Sequence, residues 1–271
     1  MAGRVKVAIA GINGKMGRAS ANAVLGDSGL ELVGAFGRSG SSYAGKSMVA
    51  GFSTENSMAV MVSDSIEACF EASKPDVLLD FSIAEPAVKH ATYALQNGVR
   101  PVIGVSGVDP SDVEKLRALA GDKKVGAMIV PNFSIGAVLM MEFAKTAGKH
   151  FGNVEIVEMH GTKKLDAPSG TAMYTTRKLA ENDKQFNPKE VADRELLQGA
   201  RGAVTDAGVR VHSVRLPGLI SHQDVIFGAD GELLSIRHES FNTNCFVKGI
   251  ILSIKSVMGM DSLVVGLESL L

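Results

Sequence analysis

The stretch VKVAIAGINGKMGRA, residues 5–19, constrains the fold of this chain more than any other. A strand-forming run (5–10) ends in Gly11, and Gly14 and Gly17 follow at three-residue spacing as a helix-forming segment begins. A strand that turns sharply into a helix opens a βαβ unit, and glycine permits both the tight turn and a close approach of backbone to a ligand. The helix start presents unpaired N–H groups and the positive end of its dipole, which suits a pyrophosphate. The spacing GxxGxxG is a variant of the commoner GxGxxG fingerprint, so its weight comes from the strand and helix around it. The plainer alternative is a tight strand-to-helix turn with no ligand.

The same rhythm continues. ELVGAF (31–36), DVLLDF (76–81), RPVIGV (100–105) and GAMIV (126–130) alternate with helical segments such as SDVEKLRALAG (111–121). Strands apolar on both faces and separated by helices predict a parallel sheet covered on each side, a Rossmann-like doubly wound α/β domain. From residue 153 the pattern changes. NVEIVEMH, GVRVHSVRL, SHQDVIFG and ELLSIRHE alternate along their length, with one helix, SGTAMYTTRKLAEN, inserted. They predict a second α+β domain on an open mixed or antiparallel sheet. The segment NTNCFVKGIILSIKSVMG is helical again and is expected to return to the first domain. We therefore expect one domain from 1–131 with 240–271 and another over 132–239. Residues 38–57 and 183–208, rich in Ser, Gly and polar residues, are expected loops.

A length of 271 residues with 45% apolar content suffices for two cores. The balance of 28 basic against 29 acidic residues leaves a net charge of -1, so no overall field draws the chain to nucleic acid or an anionic membrane, and a small ligand is expected. No apolar run approaches ~18 residues and no secretory or transit pattern precedes the first strand. The expectation is a cytoplasmic protein, or one of the plastid stroma if a transit peptide has been removed. Cys69 and Cys245 lie in apolar surroundings without CxxC or metal-type spacing, and no histidine has a metal-type partner at helical spacing. Neither a disulfide framework nor a metal site is expected.

About 20 residues after the glycine turn, an acidic side chain would take the ribose hydroxyls of NAD and an arginine would favour the 2'-phosphate of NADP. The chain reads AFGRSGSS, which offers Arg38 and Ser39 and no carboxylate. This predicts NADPH as the preferred cofactor and NADH as the weaker one; the alternative for Arg38 is a solvated loop residue.

A second constellation lies in EMHGTKKLDAPSGTAM, residues 158–173. Ser169, Gly170 and Thr171 stand where a helix begins, an arrangement of hydroxyls and free N–H groups that suits a carboxylate. His160 ends the preceding strand and Lys164 follows four residues later, so an imidazole and an ammonium can face one cavity as candidate proton donors. Taken singly, each of these residues reads equally well as a cap, a surface lysine or a satisfied histidine.

These motifs, with VLLDFS (77–82), VIGVSG (102–107), VPNFSIG (130–136) and HSVRLPGLISHQDVIFG (212–228), resemble the 4-hydroxy-tetrahydrodipicolinate (dihydrodipicolinate) reductase family, most like its cyanobacterial and plastid-type members. The resemblance covers the full length, and KxDAPSGTA is its most specific element. It implies NAD(P)H-dependent reduction of 4-hydroxy-tetrahydrodipicolinate, by way of dihydrodipicolinate, to tetrahydrodipicolinate in the diaminopimelate route to lysine. It also implies a small dicarboxylate substrate, a homotetramer built through the second domain, His160 and Lys164 as the catalytic pair, and Gly170 and Thr171 at a substrate carboxylate, joined here by Ser169. The cofactor is implied to lie along Gly11, Ile12, Asn13, Gly14, Lys15, Met16 and Gly17. Arg38 and Phe81, the loop Gly104, Val105, Ser106, and the loop Val130, Pro131, Asn132, Phe133 complete its expected contacts.

Two positions depart from the family pattern. Gly161 stands where a second histidine is usual, and Val105-Ser106 replaces a pair of threonines. A lost hydrogen bond to a charged ligand group costs about 1.5–3 kcal/mol, so weaker substrate binding is expected unless a neighbour such as Thr162 or Lys163 compensates. Of the other histidines, His90 is expected at the surface, His150 at a helix end, His212 and His238 on strands, and His222-Gln223 near the cavity or a subunit contact. Met140-Met141 reads as core filler. A reductase of another small carboxylate or imine, and a non-catalytic NADP-binding protein, remain the rival functions.

Overall fold

The computed structural model describes residues 3–50, 58–188 and 194–271. The chain divides into two compact units, one running to Ser134 and resuming at Phe246–Leu271, the other Ile135–Cys245.

In chain order the first unit contains β1 (Val5–Ala10), α1 (Lys15–Gly26), β2 (Leu30–Phe36), β3 (Ser47–Ala50), β4 (Met58–Ser63), α2 (Ile66–Ser73) and β5 (Val77–Asp80). α3 (Ala84–Gln96), β6 (Arg100–Ile103), α4 (Pro110–Lys123) and β7 (Ala127–Ile129) follow. The second unit then holds α5 (Ile135–Gly148), β8 (Asn153–His160), α6 (Gly170–Ala180), β9 (Ala203–Val204), β10 (Arg210–Arg215), β11 (Ser221–Ala229) and β12 (Glu232–Ser240). The chain returns to the first unit with a 3-10 turn running into α7 (Val247–Val257), and then β13 (Leu263–Val265). No helix among the described residues is long and apolar enough to cross a membrane.

The first unit is an eight-stranded sheet in the order β13-β7-β6-β5-β1-β2-β4-β3. Every pairing is parallel except β3 with β4. Strand order reverses about β1: the chain builds outward through β2 and β4, then crosses to β5 and continues through β6 and β7. That reversal opens a crevice at the carboxyl ends of the strands, where doubly wound sheets bind ligands. The central strands are buried along their length, as a sheet covered on both faces requires. One cluster joins Ile103, Val105 and Ile129 to Leu116 and Ala120 of α4, and another joins Phe36 and Leu78 to Cys69 and Phe70 of α2.

Local signals set the helix ends. Ser65 caps α2 by accepting from the Ala68 amide at 3.2 Å, and Asp109 caps α4 with Pro110 in its first turn. Lys74 and Lys124 end these helices in the left-handed region.

The second unit is a five-stranded sheet in the order β12-β11-β8-β10-β9. β8 runs parallel to β10 and antiparallel to β11, so the sheet is mixed. Val154 and Ile156 of β8 and Val225 and Phe227 of β11 are fully buried on one face. Gln223 on that face donates to Thr175 Oγ1 of α6 at 2.8 Å.

Two expected loops contain strands. The stretch 38–57 includes β3, whose SMVA run pairs antiparallel with β4 because that strand's outer edge would otherwise stay unpaired; its residues 51–57 lie outside those described. The stretch 183–208 includes the two-residue β9, which covers the edge of β10; its residues 189–193 also lie outside.

α7 meets the first unit at Gly249, where a Cβ would lie 2.0 Å from the Phe133 carbonyl oxygen. That neighbour is backbone and cannot rotate away. Gly249→Ala is expected to lower unfolding free energy by about 1–3 kcal/mol through overpacking, read as a lower urea midpoint.

Candidate active site

The carboxyl ends of the parallel strands are laced together by hydrogen bonds that continue the ladders. Gly11 N donates to Phe36 O, Phe81 N to Ala10 O, Gly104 N to Asp80 O and Val130 N to Ile103 O. These bonds hold the loops after β1, β5, β6 and β7 in one row. Gly11 has a φ of 74°, and a Cβ there would meet the Phe81 carbonyl oxygen at 2.9 Å. At Gly17 a Cβ would stand 2.2 Å from the Gly11 carbonyl oxygen. Backbone packs where side chains would be at both glycines, and α1 follows Gly14, an N-cap with no side-chain cap.

A cavity of about 950 Å³ opens beside this turn, lined among others by Gly11, Gly14, Arg38, Phe81 and His90. Its size and its glycine wall fit a dinucleotide. Arg38 and Ser39 are exposed at its rim. Asp64, just past the end of β4, and Glu67, in the first turn of α2, line the same cavity, which the stretch AFGRSGSS could not reveal. From the cavity wall, the Phe81 ring stands 5.5 Å from that of Phe133, and a Cβ on Gly104 would lie 2.2 Å from the Phe81 ring. Lys15 and Ser106 are exposed, Met16 is half-buried, and Pro131 is exposed. Asn13 Oδ1 accepts from Arg18, and Asn132 Oδ1 accepts from the Ser134 amide. Ile12, Val105 and Val130 bury their side chains, leaving main chain as the groups they can offer a ligand.

His90, expected at the surface, is half-buried instead. Its Nδ1 lies 2.7 Å from Oδ2 of the fully buried Asp80, and its ring stands edge-on to Phe36 at 4.9 Å. Asp80 Oδ1 accepts from the Ser82 amide at 2.8 Å. A buried carboxylate needs such partners, and the helix face that carries His90 supplies one of them.

In the second unit the side chains of interest gather at the end of β8. Alternation along the strand puts Val154, Ile156, Glu158 and His160 on one face. His160 Nδ1 lies 2.5 Å from Glu158 Oε2, and Arg215 Nη2 donates to Glu158 Oε1 at 2.7 Å. The parallel register pairs Ser213 with Glu158 and Arg215 with His160, so the guanidinium reaches back two pairs along the ladder, to the next residue on the same face. Arg215 Nη2 also donates to the Asp166 carbonyl at 2.7 Å and thereby ties the loop after β8 to β10. Lys164 is half-buried, and its Nζ donates to both carboxylate oxygens of Asp166 at 2.8 and 2.9 Å. Glu158 and Arg215 were not singled out in the sequence, although both lie within the motifs quoted above; the i, i+2 spacing of Glu158 and His160 on a strand was the available signal.

Ser169 is buried, and its hydroxyl accepts from the Ala172 amide at 3.2 Å as the N-cap of α6. Gly170 is exposed, with open space around its Cα. The helix start thus presents main chain at Gly170 and Thr171, with Ser169 holding the turn. Thr162 and Lys163 are exposed beside it. At Gly161 a Cβ would meet the Leu219 carbonyl oxygen at 2.9 Å, so the segment before β11 closes on this position. His222 is buried near Glu239 at 3.5 Å and meets Phe241 edge-on, and His212 pairs with Glu155 at 2.7 Å.

The charges at this strand end act on one another. Burial pushes Glu158 up, yet hydrogen bonds from Arg215, Ser213 and His160 outweigh it and hold the carboxyl below the usual glutamate value. Burial takes His160 below its ordinary value; Glu158 opposes that, while the nearby charges of Lys164 and Arg215 add to it. Asp166 is lowered mainly by its bond to Lys164. The arrangement is an imidazole backed by an ionised carboxylate, beside an ammonium and a helix start.

Comparison with known proteins covers both units. Residues 5–133 match the family model described as dihydrodipicolinate reductase, N-terminus, and residues 136–271 match its C-terminus. The chain is 46% identical to 4-hydroxy-tetrahydrodipicolinate reductase of Geobacillus kaustophilus, covering 98% of this chain and 99% of that one. It is 42% identical to the Bacillus subtilis protein of the same name, over 98% of each. A solved dipicolinate-bound dihydrodipicolinate reductase from Paenisporosarcina sp. TG-14 superposes with a TM-score of 0.86 at 40% identity, covering 99% of this chain and 100% of that one.

Removing Arg215 would leave Glu158 buried without its strongest partner. Arg215→Met is expected to cost about 3 kcal/mol at neutral pH, measured by urea denaturation. Because the folded pKa of Glu158 is lowered, its contribution is present above the ordinary glutamate value and is lost as pH falls through the folded one. The gap between the two proteins should therefore narrow in acid.

Proposed function

Because the chain belongs to the dihydrodipicolinate reductase family over nearly its whole length, we propose that it reduces 4-hydroxy-tetrahydrodipicolinate, by way of dihydrodipicolinate, to tetrahydrodipicolinate with NAD(P)H in the diaminopimelate route to lysine. The observation that carries the reading is the strand end of the second unit, where His160, backed by buried Glu158, feels the charge of Lys164 in the loop that leads to α6. The substrate is a small dicarboxylate, as the dipicolinate bound to the Paenisporosarcina protein supports.

The first unit holds the cofactor: the Gly11–Gly17 turn and the start of α1 take the pyrophosphate, with Phe81, Phe133 and the Gly104 loop toward the nicotinamide. When bound, NAD(P)H supplies the hydride. The second unit binds and orients the substrate. Main-chain amides of Gly170 and Thr171 receive one carboxylate, and Lys164 exchanges its Asp166 partner for a substrate carboxylate oxygen. His160 in its charged form gives the proton that balances hydride addition. Burial holds its pKa down, which favours giving up the proton, while Glu158 keeps the charged form accessible.

Arg38 at the end of β2 supports a preference for NADPH, through a 2'-phosphate. Asp64 and Glu67 in the same cavity offer acceptors for ribose hydroxyls and support use of NADH as well. The bacterial origin of the relatives named above supports a cytoplasmic setting. Leu233 and Phe241, 77% and 69% exposed in and just after the edge strand β12, support assembly into a homotetramer through the second unit.

The test is oxidation of NADPH and NADH by the purified protein with substrate generated in place by a dihydrodipicolinate synthase. His160→Ala and Lys164→Ala should each lower kcat by about 10²–10⁴-fold with NADPH affinity unchanged. With His160 as donor, kcat should fall as pH rises through a value below the ordinary histidine one of about 6.5; a kcat level across that range would remove His160 as the donor. Absence of turnover with intact NADPH binding would reject the assignment. Arg38→Ala should raise KM for NADPH about tenfold and leave KM for NADH nearly unchanged, as a lost charge-assisted bond implies; equal changes for both would remove Arg38 from the cofactor site.

A further inference from the structure

Glu158 has no solvent exposure, and its two oxygens are divided between two strands. One accepts from Arg215 Nη2 at 2.7 Å and the other faces His160 Nδ1 at 2.5 Å. An ionised carboxylate accepts hydrogen bonds and cannot donate them, whereas a neutral imidazole carries one proton that can sit on either nitrogen. Opposite a carboxylate kept ionised by a guanidinium, that proton must sit on Nδ1. Nε2 is then the nitrogen that gains and loses charge.

We propose that Glu158, clamped by Arg215, is the positioning residue that fixes the His160 tautomer, so that Nε2 is the nitrogen that delivers the proton in the reduction. This rests on the function proposed above and adds a residue that acts only through His160. The groups facing the imidazole are consistent with that division of labour. β10 contributes Arg215, the loop after β8 contributes Lys164 with Asp166, and β11 places the uncharged Ser221 opposite His160. Of these, Glu158 is the group that favours the charged imidazole, against burial, Lys164 and Arg215. Arg215 thus has two opposed effects: it disfavours charge on His160 directly, and it secures the carboxylate that favours it.

The test reads the imidazole itself. Protein labelled with 15N at histidine is examined by long-range 1H–15N correlation across pH, as wild type, Glu158→Gln and Glu158→Asp, alongside kcat against pH. In the wild type the Nδ1–H tautomer is expected. In Glu158→Gln the amide can donate to Nδ1, so the tautomer should shift toward Nε2–H and the His160 pKa should fall. At pH 7.5 kcat should drop by about 10²-fold, the lower end of what a positioned acid supplies, and by less at pH 5.5, with KM for NADPH unchanged. Glu158→Asp keeps the charge but draws it back by one methylene, so the pKa should move in the same direction by a smaller step; this variant also serves if the glutamine protein does not fold. A His160 tautomer and pKa unchanged in the folded variants, or a kcat lowered by one factor at every pH, would overturn the proposal. The spectra need no substrate, so absent turnover would reject the function while the tautomer result still stood.

Discussion

A carboxylate sealed from water between two strands is the constraint on which the second unit's chemistry depends. Glu158 occupies a position where β8 would otherwise continue its apolar row of Val154 and Ile156. Burying a charge there is tolerable only because Arg215 and His160 both reach it. The requirement fixes more than one side chain. It demands that β10 run parallel to β8 in the observed register, and it draws the Asp166 carbonyl to the same guanidinium. The loop that carries Lys164 is anchored by the pair that orients His160.

The first unit solves a different problem with backbone. At Gly11 and Gly17 main chain lies where side chains would be, and the strand ends are stitched by amide-to-carbonyl bonds across five neighbouring strands. Arg18 braces the turn from the helix by donating to Asn13, and the helix start that follows Gly14 suits an anionic ligand. Side-chain chemistry enters at the rim, through Arg38 on one strand end and Asp64 near another.

What the sequence disclosed follows from which signals are local. The glycine turn, the strands of the parallel sheet and the cap at Ser169 each depend on residues within a few positions, and the structure places those elements where the pattern put them. Alternation showed a second sheet but left it mixed or antiparallel; the parallel pairing of β8 with β10 makes it mixed. Side-chain pairings between elements were not legible: Asp80 at the end of a strand meets His90 on the helix that follows, ten residues on, and a helical histidine carries no mark of its buried partner. β3 was obscured because a four-residue edge strand within a Ser- and Gly-rich stretch has little periodicity. Arg215 sat in a quoted motif, yet its role needs the parallel register of strands more than 50 residues apart in sequence, a separation the 57 positions between it and Glu158 make concrete.

The close approach of Leu219 to Gly161 sets a limit on what position 161 can carry. A Cβ there would stand 2.9 Å from a carbonyl oxygen, and backbone has no rotamer to adopt. Any side chain at 161 therefore asks the segment before β11 to move, so the identity of one residue and the course of a neighbouring segment are set together: the glycine is a spacer whose size is written into the loop opposite it.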